Sequence, residues 1–182
     1  VNKYDLSHAA YIFKNIYKEF PQGSVHIIGV NNSDDDNKII LFQLNNQYVI
    51  TFDSGIISLL DSKENISVIE IEGEKHSSFP EKLMGEVASK IASGINYTTL
   101  GKPISEFKQF SNVEVKITNN EIVGHSIRID HYGNIITNIT KSDFNKVLSK
   151  NSGSFEINLG IDKINKLSNS YSDVGIADLF AL

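Results

Sequence analysis

The chain has 182 residues, 40% hydrophobic and 21% charged, with a formal net charge of -5 and no cysteine. That length holds one domain or two small ones, and the composition is that of an ordinary soluble globular protein. The negative charge argues against nucleic acid as a general partner, and the lack of cysteine excludes disulfides, thiolate chemistry and cysteine zinc sites. Arg128 is the only arginine, so bidentate clamps on phosphate or carboxylate are nearly absent. No apolar run is long enough to span a bilayer, and the start shows no basic segment followed by an apolar one. These features predict a cytoplasmic chain that neither crosses nor anchors to a membrane.

Ser7 is an expected N-cap, followed by apolar residues at Ala9, Ile12, Phe13, Ile16, Tyr17 and Phe20, a helical stripe that Pro21 to Gly23 stop. Val25 to Val30 reads as a short strand of the kind buried on both faces of a parallel sheet. Asn31 to Asn37 is a polar loop. Ile39 to Leu44 and Tyr48 to Phe52 flank Asn45-Asn46 and read as a hairpin. Asp53-Ser54-Gly55 is a strand-to-helix turn with Asp or Ser as N-cap, leading into Ile56 to Leu60. Ser67 to Ile71 alternates as another strand. Pro80 to Ser93 is the second clear helix, with Leu83, Met84, Val87, Ala88 and Ile91 on one face and Gly94 as its stop. The alternation of strands and helices indicates an α/β domain over residues 1–108.

The pattern then changes. Glu114 to Thr118, Glu121 to Ile129 and Asn134 to Ile139 read as strands, Ser142 to Leu148 as a short helix, and Ser154 to Leu159 and Leu179 onward as further strands. Residues 109–182 are therefore expected to form a β-rich, barrel-like domain, with the boundary near Gln109 to Val113.

The most informative segment is Asp130-His131-Tyr132-Gly133-Asn134, which follows a strand. It places a carboxylate, an aromatic ring and a carboxamide around a glycine. The ring can stack on a π-face, the carboxamide can pair with an adenine edge, and the carboxylate can hold an ammonium group. An ordinary tight hairpin turn uses the same residue types. Elsewhere, Asp34-Asp35-Asp36 has the donors of a hard-cation site but not the order of an EF-hand loop, and reads first as a solvated acidic loop, so no metal is expected. His26 is expected as a satisfied core histidine, His8 as exposed in the first turn of its helix, and His125 as packed, alternating with Ile127 and Ile129. The histidines form no close cluster that would suggest zinc.

Taken together, these segments resemble the S-adenosyl-methionine hydroxide adenosyltransferases, relatives of the fluorinases and chlorinases. The family's Asp-x-Phe-Gly-Asn-x-x-Thr-Asn signature is matched by Asp130, Tyr132, Gly133, Asn134, Thr137 and Asn138, with Tyr for Phe. Ala9-Ala10-Tyr11 with Phe20 to His26, Asp53 to Ser58, and Ile91 to Gly94 are similar to three further family segments, in the same order. The resemblance implies attack of hydroxide on the 5′-carbon of S-adenosyl-methionine, releasing methionine and leaving adenosine, with no cofactor beyond that ligand. It implies Asn134 on the adenine, Tyr132 against its ring and Asp130 on the methionine ammonium. It also implies a homotrimer, and a chain shorter than its relatives at both ends.

The family's water-activating residues are an Asp, an Arg and a His. Here Asn31 stands at the Asp position, Lys38 near the Arg position and Phe79 at or beside the His position, so no catalytic residue is assigned. His76 and Asp34 to Asp36 lie close enough in sequence to substitute. Three functions stay open: a hydrolase, an S-adenosyl-methionine or adenosine-binding protein without turnover, and an oligomerising protein without a ligand. Hydroxide is the default nucleophile over halide, since fluorinase-like activity needs a small dry pocket.

Overall fold

The computed structural model describes residues 4–30, 38–60, 66–72, 79–110, 113–173, 175 and 179–181. The polar loop with Asn31 and Asp34 to Asp36, and His76, lie outside the described residues. The chain divides into two compact units, Val1–Asn112 and Val113–Leu182.

The first unit is α/β. Helix α1 (Leu6–Ile16) is capped by Asp5, whose side chain accepts from the His8 N–H. Asp5, not Ser7, is therefore the N-cap, and the helix begins ahead of its apolar stripe. His8 is 5% exposed, so the expectation of an exposed first-turn histidine is wrong. The stripe that carries Ala9 and Phe13 is wide enough to take His8 inside with it.

Five strands form one sheet in the order β1-β3-β2-β4-β5: β1 (Val25–Ile28), β2 (Ile39–Leu44), β3 (Gln47–Phe52), β4 (Val68–Ile71) and β5 (Gly101–Ile104). β1 lies parallel to β3 and every other pairing is antiparallel. The Asn45-Asn46 hairpin forms as the sequence indicates. Both asparagines hold positive φ, 48° and 60°, the backbone a two-residue turn of a right-twisted hairpin needs. β1 is not buried on both faces. It has a described neighbour only in β3, and Ile27 is exposed.

The inner strands read as apolar runs because both faces are covered. Ile40, Phe42, Leu44, Val49 and Val68 pack with α1 and with the short helix α2 (Ile56–Leu59). Ile39, Leu41, Ile50, Phe52 and Ile71 pack with Met84, Val87 and Ile91 of α3 (Pro80–Ala92). The period-2 alternation along β2 thus feeds two cores on opposite sides of one sheet.

His26 is satisfied, as expected. Its Nε2 lies 2.8 Å from Gln47 Oε1, while Gln47 Nε2 donates to the Phe20 carbonyl at 2.7 Å. The second bond fixes the amide so that Oε1 is the acceptor, which makes His26 Nε2 the donor.

The second unit is β-rich but built from short ladders: β6 (Lys116–Ile117) with β7 (Ile122–Val123), β8 (Ser126–Ile129) with β9 (Ile135–Thr137), and β10 (Ile157–Leu159) with β11 (Asp162–Ile164). Among the described residues these ladders do not close into a barrel. The single strand expected over Glu121 to Ile129 is two strands with a break at Gly124-His125. His125 and Ile129 are exposed rather than packed, Ile129 at 63%. Helix α4 (Lys141–Lys150) is capped by Thr140, whose hydroxyl accepts from the Asp143 N–H and donates to its carboxylate. Leu179 to Ala181 form no strand. Ala181 makes one isolated bridge to Leu167.

Candidate functional site

The Asp130–Asn134 segment is the loop of the β8–β9 hairpin. Ile129 faces Ile135 in the ladder, the Asp130 N–H donates to the Asn134 carbonyl at 3.0 Å, and the Gly133 N–H donates to the Asp130 carbonyl at 3.1 Å. Gly133 has φ +87°, the left-handed region that a three-residue hairpin loop places after its turn and that glycine enters without strain. Aspartate at the first turn position and glycine at the fourth are therefore favoured by the backbone itself.

The Asp130 carboxylate is also the hub of the loop. Oδ1 accepts the Tyr132 N–H and the Asn134 N–H, each at 2.9 Å, and Oδ2 accepts Asn134 Nδ2 at 2.8 Å. These bonds, led by the one from the Asn134 side chain, hold the carboxyl below the ordinary aspartate value. Desolvation opposes them, and the backbone bonds and His131 add to them. Asp130 is ionised at neutral pH and acts only as an acceptor.

Asn134 is half-buried. One Nδ2 proton goes to Asp130. The other, with Oδ1, makes the donor–acceptor pair that an adenine edge takes. Tyr132 is 80% exposed at the loop tip, and the His131 ring lies beside it with centroids 3.8 Å apart at 41°. The structure thus joins Asp130 and Asn134 through their side chains, while Tyr132 reaches Asp130 through its backbone N–H and its ring lies beside that of His131, which the sequence pattern leaves without a role. Its signal is the bare adjacency of two rings.

Asn138, the last signature position, serves the frame. Its Oδ1 accepts the His125 N–H at 2.7 Å and its Nδ2 donates to the Val113 carbonyl at 2.8 Å. Thr137 is similar, with its hydroxyl oxygen 3.4 Å from the Ile139 N–H that donates to it.

In the first unit, Asp53-Ser54-Gly55 is also frame. Neither Asp53 nor Ser54 caps α2. The N-cap is Gly55, with φ +92° and no side-chain bond. Buried Asp53 instead accepts the Lys108 N–H at 2.8 Å, and Ser58 Oγ accepts the Phe110 N–H at 2.8 Å. The turn thereby ties down the segment that follows β5. Of the positions that replace the family's water-activating residues, Lys38 has its Nζ 3.8 Å from Glu70, and Phe79 is an exposed residue at the N-cap of α3. Asn31 lies outside the described residues. Among the described residues no cluster of His, Asp and Glu has the arrangement of a metal site, and no helix is long and apolar enough to cross a membrane.

The two units correspond to two family models. The SAM hydroxide adenosyltransferase N-terminal domain matches residues 1–101, and the SAM hydroxide adenosyltransferase C-terminal domain matches residues 124–182. The chain belongs to the SAM hydroxide adenosyltransferase family. Among solved structures it is similar to an uncharacterized conserved protein from Thermotoga maritima, at 18% identity and a TM-score of 0.80, over 99% of this chain and 73% of that one. It is also similar to a conserved hypothetical protein from Thermus thermophilus, at 18% identity and a TM-score of 0.58, over 75% of this chain and 56% of that one. These two likenesses concern the fold alone. A comparison with curated proteins gave no match.

Proposed function

We propose that the chain binds S-adenosyl-methionine on the Asp130–Asn134 loop and catalyses displacement of methionine by hydroxide. Asn134 takes the adenine edge, the Tyr132 ring lies against the base, and Asp130 offers its remaining lone pair to the methionine ammonium. The observation that carries this reading is the Asn134 carboxamide, half-buried and fixed by a carboxylate in a loop whose tip bears an exposed aromatic ring. In the reaction, a water oxygen forms a bond to C5′ as the C5′–S bond breaks. The sulfonium leaves as the neutral thioether of methionine. One of the water's two protons passes to solvent or to a side chain, and the other stays on the 5′-hydroxyl of adenosine. The sulfonium is already a good leaving group, so the protein's work is to place the water in line and ease its deprotonation.

We extend the reading to a homotrimer in the cytoplasm. Exposed Ile129 and Ile135 beside the loop are the kind of apolar surface that a subunit contact covers.

A binding protein without turnover is the second reading, favoured by Asn31 and Phe79. Asparagine cannot act as a carboxylate base, and phenylalanine has no polar group. Product analysis separates the two. Incubation with S-adenosyl-methionine is expected to release adenosine and methionine in equal amounts. Saturable binding without product establishes the second reading. Neither binding nor product overturns both.

A further inference from the structure

An asparagine carboxamide has two ends of nearly equal size, and rotation by half a turn exchanges a donor for an acceptor. What a ligand meets therefore depends on what holds the amide. At Asn134 the holder is Asp130 Oδ2, 2.8 Å from Nδ2. A carboxylate only accepts, so the reversed amide would set Oδ1 against Oδ2, two acceptors with no proton between them. The carboxylate is itself held, because two backbone N–H groups, of Tyr132 and Asn134, converge on Oδ1 at 2.9 Å each. The same turn that shapes the loop thus fixes the plane of the group that orients the amide.

We infer that Asp130 is a positioning residue that sets the orientation of the Asn134 carboxamide and makes the loop selective for an adenine edge over a hypoxanthine edge. This rests on the reading of the loop as an adenosyl site, and differs from a role on the ammonium group. Adenine presents an amino donor beside a ring-nitrogen acceptor, which a fixed Oδ1 and Nδ2 proton complement. Hypoxanthine has a carbonyl acceptor in place of the amino group. Against the fixed amide that carbonyl meets Oδ1, and both are left without a donor. Asp130 also stays ionised at neutral pH, so the acceptor does not become a donor in solution.

The test uses adenosine and inosine as probes, since neither carries an ammonium group. Each is titrated into the chain, Asp130→Asn, and Asn134→Ala. In Asp130→Asn the side-chain oxygen still accepts the two backbone N–H groups, but its amide now faces Asn134 Nδ2, donor against donor, and the Asn134 amide reverses. The parent is expected to prefer adenosine by about tenfold or more, and Asp130→Asn to lower that preference by about tenfold, the value of one bidentate base contact. An unchanged adenosine-to-inosine ratio in Asp130→Asn, with or without a uniform loss of affinity, overturns the inference while the adenosyl reading stands. Unchanged adenosine affinity in Asn134→Ala overturns the adenosyl reading itself. If Asp130→Asn binds neither nucleoside, the Asn134 Nδ2 protons of the free protein decide. Loss of one exchange-protected Nδ2 resonance relative to the parent is expected, and identical resonances overturn the inference.

Discussion

The two units are held together by different physics. The sheet unit buries large apolar side chains on both faces: Phe42, Leu41, Ile50, Val49 and Met84 are each fully buried. In the hairpin unit the buried hydrophobic residues among those described are Val147 and Ile164, while Ile117, Val123, Ile129 and Ile161 are exposed. Two-stranded ladders are marginal in water by themselves. Order in the hairpin unit comes instead from polar side chains bonded to the backbone, at Asp130, Asn138, Thr140 and Asn151. The unit that carries the candidate site is thus the one whose shape is written in hydrogen bonds. Such bonds fix direction, which a ligand's donors and acceptors need, where an apolar core fixes mainly volume.

Removing one side chain from each unit puts this contrast at greatest risk. Phe42→Ala should destabilise the sheet unit by about 3–5 kcal/mol, the cost of a buried aromatic and its cavity. Val147→Ala should cost the hairpin unit only about 1.5 kcal/mol, since two methylenes are lost from a thin core. Segment-resolved hydrogen exchange in urea reads both values. Equal effects would erase the distinction.

Two glycines make a finer comparison. A Cβ on Gly55 would meet the Phe110 nitrogen at 2.9 Å, and φ there is +92°. Gly55→Ala therefore combines backbone strain with a clash, about 3 kcal/mol. Gly133 has φ +87° with no atom within 4 Å of a Cβ, so Gly133→Ala carries the left-handed penalty alone, about 1–2 kcal/mol. Urea midpoints of the two variants check the order. The reverse order would mean that the segment after β5 gives way easily.

The smallest effect is pH dependence. Asp130 has its folded value held below 3.8 by the loop's hydrogen bonds. Its contribution to the hairpin is complete above the unfolded value and is lost as pH falls through the lower folded value. Asp143 follows the same sign, held down first by the Thr140 hydroxyl. Amide exchange of the β8–β9 loop should stay flat from neutral pH to about 4, after correction for intrinsic rates, and rise below it. A rise that begins well above the ordinary aspartate range would contradict this role for Asp130.

Much of the sheet unit was legible because its signals are periodic. The stripes of α1 and α3 and the paired runs around Asn45-Asn46 are long enough to be distinct. Strand β5 carries no such signal, since Gly101 and Pro103 are residue types that ordinarily interrupt a strand. Proline is tolerated there because β5 ends the strand order of the described sheet, and glycine because the Glu70 carbonyl leaves no room for a side chain. The burial of His8 and the exposure of His125 depend on which faces meet, which local pattern does not contain. The loop at 130–134 is legible as a turn, since Asp130 and Gly133 are the residues its backbone favours. Sequence could supply the members but not the bond from Asn134 to Asp130, which gives the amide its direction. No water-activating group is legible in the sequence, because Asn31, Lys38 and Phe79 depart from the family pattern at its three positions.

Whether the Asn134 carboxamide reads a nucleobase is decided by calorimetric titration of adenosine into the chain and into Asn134→Ala. The substitution is expected to weaken binding by about 1–3 kcal/mol, through the unpaired adenine edge. Equal affinity in the two proteins would contradict a nucleoside site on this loop.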